Sequence, residues 1–429
     1  MVQPDNIVYI VTQRHRLHLF CKLSSKNDEN ATMPWIQTNT MEQRTLFIQA
    51  WLSQRYTKIE LCRRFNISRP TADKWIKRHQ QVGFEGLGEL SRRPHHSPNA
   101  TPPWVCEWLI AEKLKRPDWG AKKLLDLFAR TFPQVKCPAD SMGDLILARA
   151  GLVQPRKRRR RVSADTHSFR DCNVPNSVWS VDFKGQFEIG QRQPCYPLTV
   201  SDNFSRYLLL CQGLPNTKAD PVIAHFEQLF STYGMPWAIR SDNGSPFVST
   251  ALGGISRLSK WWIDLGIRPE RIKPAHPEQN GRHERMHRSL KAYLNTRLDQ
   301  IQLDLDSLQQ RLDVFRQEYN ESRSHEGLER QTPQACYHSS SRSYTGKIEP
   351  YDYDEDIDIR QVRRSGEIKW QGDNYYLSQV LAKEKIAFKP YADGIWHIYY
   401  RFHFLGTFDA REKKIKPATQ WHVQPDECK

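Results

Sequence analysis

The sequence predicts a multidomain chain: all-α at its N-terminal end, α/β in the middle and small all-β at its C-terminal end. Three observations carry this. Apolar residues recur at helical spacing between residues 42 and 153, and from Val174 alternating runs interleave with helical ones. Beyond Thr332 only short alternating runs separated by turn residues remain. At 429 residues the chain is longer than one apolar core normally organises.

The charge narrows the partner. Lys and Arg number 64 against 48 Asp and Glu, a formal net charge of +16. The excess is clustered, which points to a polyanion, nucleic acid above all, rather than to an evenly solvated surface. No apolar run approaches the roughly 20 residues of a membrane span. The opening MVQPDNIVYIVTQRHRLHLF is too polar for a signal peptide. The nine cysteines are scattered without a C-x-x-C pair, which suits reduced thiols in a cytoplasmic protein. Residues 1–40 form a poorly patterned extension, with Met33 a candidate start.

Residues 41–86 read as a helix-turn-helix. EQRTLFIQAWLSQR has helical periodicity, and Thr57 with Glu60 forms a capping-box pattern for the next helix. The turn Phe65-Asn66-Ile67 leads to SRPTADKWIKRHQQVG, with Ser68 as N-cap, Pro70 in the first turn and Gly83 as the stop. On that basic helix Arg69, Thr71, Lys74, Lys77 and Arg78 are the candidate DNA contacts. The alternative is an ordinary three-helix bundle. Residues 87–103 are a Pro- and Arg-rich linker containing Arg92 and Arg93, also candidates for DNA contact. A second helical unit, helix-turn-helix-like, spans 104–153. A basic linker at 154–173 carries Arg156, Lys157, Arg158, Arg159, Arg160 and Arg161, a run suited to lie along phosphates.

Residues 174–335 form the α/β domain. NSVWSVDFKGQFEI, YPLTVSDNFS and RYLLLCQGL read as three consecutive antiparallel strands. After them come the helix DPVIAHFEQLFSTYG, the strand WAIRSDNG, the helix GGISRLSKWWIDLG, the short strand RIKP and two long helices. This order predicts a mixed sheet with helices on both faces. Residues 336–429 hold five short runs, GEIKW, NYYLS, KIAFKPY, GIWHIYY and HFLGTFD, which suggest a small barrel.

Within the α/β domain three acids stand out. Asp182 lies inside the first strand on one face with Val178 and Ser180, where a carboxylate is costly to bury unless paired or bound to metal. Asp242 ends a strand just before Asn243-Gly244, a place also explained by turn chemistry. Glu284 falls in HERMH, which fits the H-E-x-x-H pattern of zinc hydrolases. The helical projection argues otherwise: His283 and His287 share the apolar arc of Met286, Leu290 and Leu294, while Glu284 shares a face with Arg288 and Lys291. Two strand aspartates and a helix glutamate can converge on two divalent ions for in-line displacement at phosphorus.

The stretches VWSVDFKG, IRSDNGSPF and HPEQNGRHERMHRSLK, with the tail YNESRSHEGLERQTP, resemble the core of the DDE transposases and retroviral integrases, whose fold is RNase H-like. The layout from about residue 33 to 415 is similar to that of bacterial insertion-sequence transposases: helix-turn-helix modules, basic linker, integrase-like core and a small SH3-like barrel. The resemblance implies that Asp182, Asp242 and Glu284 are a metal-binding catalytic triad, loaded with Mg²⁺ or Mn²⁺, two ions per site. It implies DNA cleavage that frees a 3′-OH, followed by attack of that hydroxyl on target DNA. It also implies terminal inverted repeats as the bound double-stranded DNA, at least a dimer on that DNA, and a bacterial cytoplasmic, nucleoid-associated location. Arg288 and Lys291 occupy the places of DNA-proximal basic residues. Two departures stand: no His-His-Cys-Cys zinc module precedes the core, and the 42 positions from Asp242 to Glu284 make a wide gap. Asp202 and Glu278 are competing acids, read as a turn residue and a helix-start charge. The rival functions are a zinc-dependent hydrolase through HERMH with Asp304 or Asp306 as third ligand, a catalytically inactive DNA-binding regulator, and a structure-selective nuclease.

Overall fold

The computed structural model describes residues 39–91, 100–153, 172–189, 193–249, 251–272, 277–297, 304–354 and 357–418. The N-terminal extension up to Met33, Arg92, Arg93 and the whole run Arg156 to Arg161 lie outside the described residues. The chain forms two compact units, residues 1–99 and 100–429.

The first unit is three helices, α1 (Thr40–Leu52), α2 (Lys58–Arg64) and α3 (Arg69–Val82). Local chemistry sets their ends. Thr57 Oγ1 accepts from the Glu60 amide, and the Glu60 carboxylate accepts from the Thr57 amide at 2.8 Å, so two orphan donors are satisfied reciprocally. Asn66 takes a left-handed φ of 51° in the turn between α2 and α3. Ser68 caps α3, and Gly83 at φ 72° ends it. Phe47, Ile48, Leu61, Ala72 and Trp75 bury the inner faces of the three helices together.

The second unit begins with α4 (Pro103–Lys115), α5 (Ala121–Thr131) and α6 (Asp140–Arg149), packed around Val105, Leu124 and Phe128. Next come β1 (Val178–Phe183), β2 (Phe187–Ile189), β3 (Gln193–Asp202), β4 (Leu208–Leu214), α7 (Ala219–Tyr233), β5 (Ala238–Ser241), α8 (Arg257–Asp264) and β6 (Arg268–Arg271). Two long helices, α9 (Gly281–Arg297) and α10 (Leu305–Gln317), and the single turn α11 (Pro333–Cys336) complete the α/β part. The strand order is β2-β3-β1-β5-β6, with β4 also paired to β3. β1 runs antiparallel to β3 and parallel to β5. One face of the sheet, through Trp179, Val181 and Val200, packs on Phe226, Phe230 and Trp262 of α7 and α8. The other, through Cys195, Leu208 and Cys211, packs on Met286, Leu290, Leu312 and Phe315 of α9 and α10.

The strands differ from the sequence reading in two places. NSVWSVDFKGQFEI is two strands, β1 and β2, interrupted at Lys184-Gly185-Gln186, where Gly185 takes φ 94°. The strand expected at RIKP lies upstream, at Arg268–Arg271. Its Pro269, paired with Ile239, is tolerated because β6 ends the strand order and, among the described residues, has no ladder to lose on its other side.

The C-terminal part contains β7 (Asp358–Gln361), β8 (Glu367–Trp370), β9 (Asp373–Tyr376), β10 (Lys385–Ala392), β11 (Ile395–Tyr400), β12 (His403–Asp409) and β13 (Lys414–Pro417). The five expected strands are β8 to β12; the edge strands β7 and β13 lack an apolar alternation that would have marked them. The sheet β13-β12-β11-β10-β7 and the hairpin β8-β9 share a core of Trp370, Phe388, Ile398 and Phe408.

Polar joints tie these layers. Asp264, at the end of α8, accepts from Tyr400 Oη at 2.5 Å and pairs with Lys260 at 2.8 Å and Arg401 at 3.2 Å. On the opposite side Arg330 pairs with Asp126 and Asp140 of α5 and α6, Arg323 pairs with Asp118, and Lys123 donates to the Ser324 carbonyl. The basic residues Lys123 and Arg130 of the second helical module are therefore turned to the α/β domain. No described helix is long and apolar enough to cross a membrane.

Replacing Arg330 by Ala removes both carboxylate contacts at once. The expected cost is about 1 kcal/mol, since Arg330 is partly exposed and such pairs are screened. Amide exchange should quicken in α4 to α6 and stay unchanged in β1, β3 and β5. Equal acceleration in both would show that the joint does not hold the helical module to the sheet.

Candidate active site

β1 lies inside the sheet, between β3 and β5, and delivers Asp182 to its end. Thr199 of β3 is its antiparallel partner. On the other side Val181 is level with Ser241 of β5, so Asp242 follows β5 at the same end of the sheet. Parallel pairing of β1 and β5 thus brings two aspartates 60 positions apart to neighbouring strand ends. Asp242 is fixed by its own turn, its carboxylate accepting from the Gly244 amide at 3.0 Å. A Cβ at position 244 would stand 3.0 Å from that carboxylate, which explains the glycine. Asn243 is locked from both ends, donating to the Ile272 carbonyl and accepting from Arg271 Nε.

Glu284 rises from the first turn of α9, which lies over the face of the sheet that carries Ser180. The N-terminal end of α9 is fastened there: Ser180 Oγ donates to Asn280 Oδ1 at 3.0 Å, Asn203 Nδ2 donates to Ser180 Oγ, and Arg282 donates to the Asn203 carbonyl. The two faces of α9 divide as its periodicity predicts. His283 and His287 are buried with Met286 and Leu290, while Glu284, Arg288 and Lys291 are exposed.

The histidines are not idle packing. Thr199 Oγ1 lies 2.8 Å from His283 Nε2 and 2.7 Å from His287 Nε2, and donates to the Asp182 carbonyl at 3.0 Å. Ser201 Oγ lies 2.8 Å from His283 Nδ1. His287 Nδ1 stands 3.6 Å from Asp182 Oδ2. Burial lowers His283 to about 3 and, with His283 and Lys184 adding to the effect, His287 to about 2. Both rings are therefore neutral, and the His287–Asp182 contact is not an ion pair.

Burial, then Asp242, pushes the Asp182 carboxyl up to about 7, with Glu284 adding to the rise and the Phe183 amide and Lys184 opposing it. Asp242 is also raised by burial, against the Gly244 amide. Carboxylates held together at a cost to ionisation form the donor set that a hard divalent cation relieves, so these residues fit such an ion. The described residues also bring Asp182, His283 and His287 close enough to one another to share an ion.

The competing acids have other work. Asp202 accepts from the amides of Asn176 and Ser205 and from Ser205 Oγ, stapling the β3–β4 turn. Asp304, offered as a third zinc ligand, instead caps α10 by accepting from the Ser307 amide, and Asp306 lies in the first turn of that helix. The side chain of Glu278 lies outside the described residues. Thr199, Ser201 and Asn280 were not singled out from sequence. Their signal was present: in YPLTVSD the two hydroxyls are two residues apart, hence on one face of β3.

Of the α3 candidates, Arg69, Lys74 and Lys77 are exposed. Thr71 Oγ1 bonds with Ser68 Oγ at the helix cap, and Arg78 lies over Trp75 and donates to the Gly88 carbonyl.

Comparison with known proteins gives a consistent assignment by region. Residues 173–277 and 265–333 match models described as integrase core domain. Residues 43–95 match a helix-turn-helix domain, and 357–416 match the IS481 family transposase, C-terminal domain. An uncharacterized 39.2 kDa protein of insertion element IS476 from Xanthomonas euvesicatoria is 27% identical over 198 residues, covering 45% of this chain and 54% of that protein. An uncharacterized 31.7 kDa protein of insertion element IS407 from Burkholderia multivorans is 29% identical over 188 residues, covering 42% and 62%. The chain thus spans under two thirds of each. Among solved structures, the HTLV-2 integrase catalytic core domain in complex with magnesium is 20% identical, covers 38% of this chain and 98% of that one, and superposes with a TM-score of 0.31.

Asp182→Asn should stabilise the metal-free protein. A carboxyl raised from 3.8 to about 7 binds its proton more tightly folded than unfolded, so its penalty grows as pH rises between those values and is complete above pH 7. The variant's gain in melting temperature, a few degrees, should be full at pH 8 and vanish by pH 4. A gain independent of pH would show that Asp182 is not held at a cost.

Proposed function

We propose that this chain is an integrase-core transposase of the insertion-element type, which cuts and joins DNA at the ends of such an element; the reading is supported by an integrase core match with a helix-turn-helix match ahead of it and a transposase C-terminal match behind it. Asp182, Asp242 and Glu284 are the residues that would hold two divalent ions, Mg²⁺ or Mn²⁺. When bound, such ions stabilise the attacking and leaving oxygens of an in-line displacement at phosphorus.

The chain's own part is positioning and charge. The observation that carries the reading is Asp182 beside Asp242 at adjacent strand ends, with its carboxyl raised by burial and by that neighbour. Arg288 and Lys291, exposed one and two turns beyond Glu284, would grip the phosphates on either side of the scissile bond. The capped helix α3 would read the terminal inverted repeats through Arg69, Lys74 and Lys77. The linkers bearing Arg92, Arg93 and Arg156 to Arg161 would add contacts whose strength falls with salt. Two element ends require at least two protomers, and the site of action is bacterial DNA inside the cell.

The His283 and His287 rings lean on Thr199 and Ser201, which argues against a zinc hydrolase with both rings open to a cleft.

Asp182→Asn, Asp242→Asn and Glu284→Gln should each lower joining of labelled element ends to target DNA by at least about a thousandfold, with end binding in gel shifts unchanged. A variant that still joins ends would remove that carboxylate from the triad. A wild type that cuts but never joins would be a structure-selective nuclease, and one inert with every divalent ion a DNA-binding regulator. Arg288→Ala with Lys291→Ala should weaken DNA binding at all sequences and flatten its salt dependence.

A further inference from the structure

Ser201, His283, Thr199, His287 and Asp182 form one connected polar string beneath the three acids, and its hydrogens can be assigned. The Asp182 carbonyl only accepts, so the single Thr199 hydroxyl proton at 3.0 Å is directed to it. The two lone pairs of Thr199 Oγ1 then face His283 Nε2 at 2.8 Å and His287 Nε2 at 2.7 Å. Both imidazoles must donate there, which fixes each as the Nε2–H tautomer. His283 agrees independently: its unprotonated Nδ1 accepts from Ser201 Oγ at 2.8 Å. For His287 the same assignment leaves a bare Nδ1 lone pair 3.6 Å from Asp182 Oδ2.

A lone pair aimed at a carboxylate oxygen is repulsive unless a proton or a cation lies between them, and 3.6 Å is too long for a hydrogen bond from a protonated Asp182. Asp182 and His287 would offer ligand atoms close enough to share one ion. An imidazole that binds metal through one nitrogen and hands its other N–H to a fixed acceptor is the usual arrangement of a histidine ligand. The acceptor here, Thr199, is held by the carbonyl of the very aspartate that shares the ion. His283 differs in the one respect that matters, since Ser201 already occupies its Nδ1.

We propose that His287 is a direct metal ligand through Nδ1, sharing with Asp182 one of the divalent ions of the site, and that Thr199, oriented by the Asp182 carbonyl, sets its tautomer. This rests on the triad reading above and adds a nitrogen donor to an otherwise all-oxygen set. Such a donor shifts preference away from Mg²⁺ toward transition-series divalent ions. In HERMH the second histidine then acts with Asp182, not with His283.

The test is pulsed EPR of the full-length protein loaded with Mn²⁺, which reads directly bound nitrogen through ¹⁴N modulation. Wild type should show one such coupling, and growth on ¹⁵N-histidine should replace the ¹⁴N pattern. His287→Ala should lose the coupling and bind Mn²⁺ about tenfold more weakly. His287→Gln, which keeps an amide donor toward Thr199, is the second variant should the alanine fail to fold, and should also lose the coupling. An oxygen-only Mn²⁺ signal in wild type, or a nitrogen signal that survives both variants, overturns the inference and leaves the triad intact. Mn²⁺ binding unaffected by Asp182→Asn overturns the triad reading and this inference with it.

Discussion

The structure depends on holding an ionisable carboxylate on an internal strand. Asp182 sits on β1 with paired strands on both sides and a second aspartate beside it, and burial there opposes its charge. A carboxylate so placed is unfavourable for stability alone. The polar groups around it fix the backbone and the neighbouring acid: Thr199 Oγ1 donates to the Asp182 main-chain carbonyl and the Gly244 amide to the Asp242 carboxylate.

The rest of the α/β domain fixes the third acid relative to the first two. α9 must lie at one height over the sheet for Glu284 to reach their edge, and two kinds of contact set that height. Met286 and Leu290 bury apolar area against the sheet, which is strong but tolerant of sliding. The bonds of His283, His287 and Asn280 to β1 and β3 are directional and do not tolerate it. Around this centre, Asp264 fastens the C-terminal sheets to α8, and Arg330 fastens the helical module to the far side. The Asp264 joint uses charge shielded from water, where an unmatched partner is costly, whereas the Arg330 joint is partly exposed and screened.

Much of this was legible beforehand. The caps Thr57, Ser68 and Gly83 were readable because capping is local: each residue's partner lies within four positions. The two faces of α9 were readable because periodicity reports burial. The strand at RIKP was misplaced because Pro269 disguises an edge strand, and whether a strand lies at an edge is a property of the sheet. Asp304 attracted attention as a possible ligand because sequence does not distinguish a helix cap from a metal donor.

The sequence by itself determined the order of domains, the capped helices and the identity of three acids worth watching, since these rest on composition, periodicity and short-range hydrogen bonding. Tertiary structure alone decided how those acids meet. Parallel pairing of β1 with β5 puts Asp182 next to Asp242, and the seating of α9 on β3 brings His287 to Asp182 through Thr199. Register between strands distant in sequence and the height of a helix over a sheet are set by packing of the whole domain, and no local pattern encodes either.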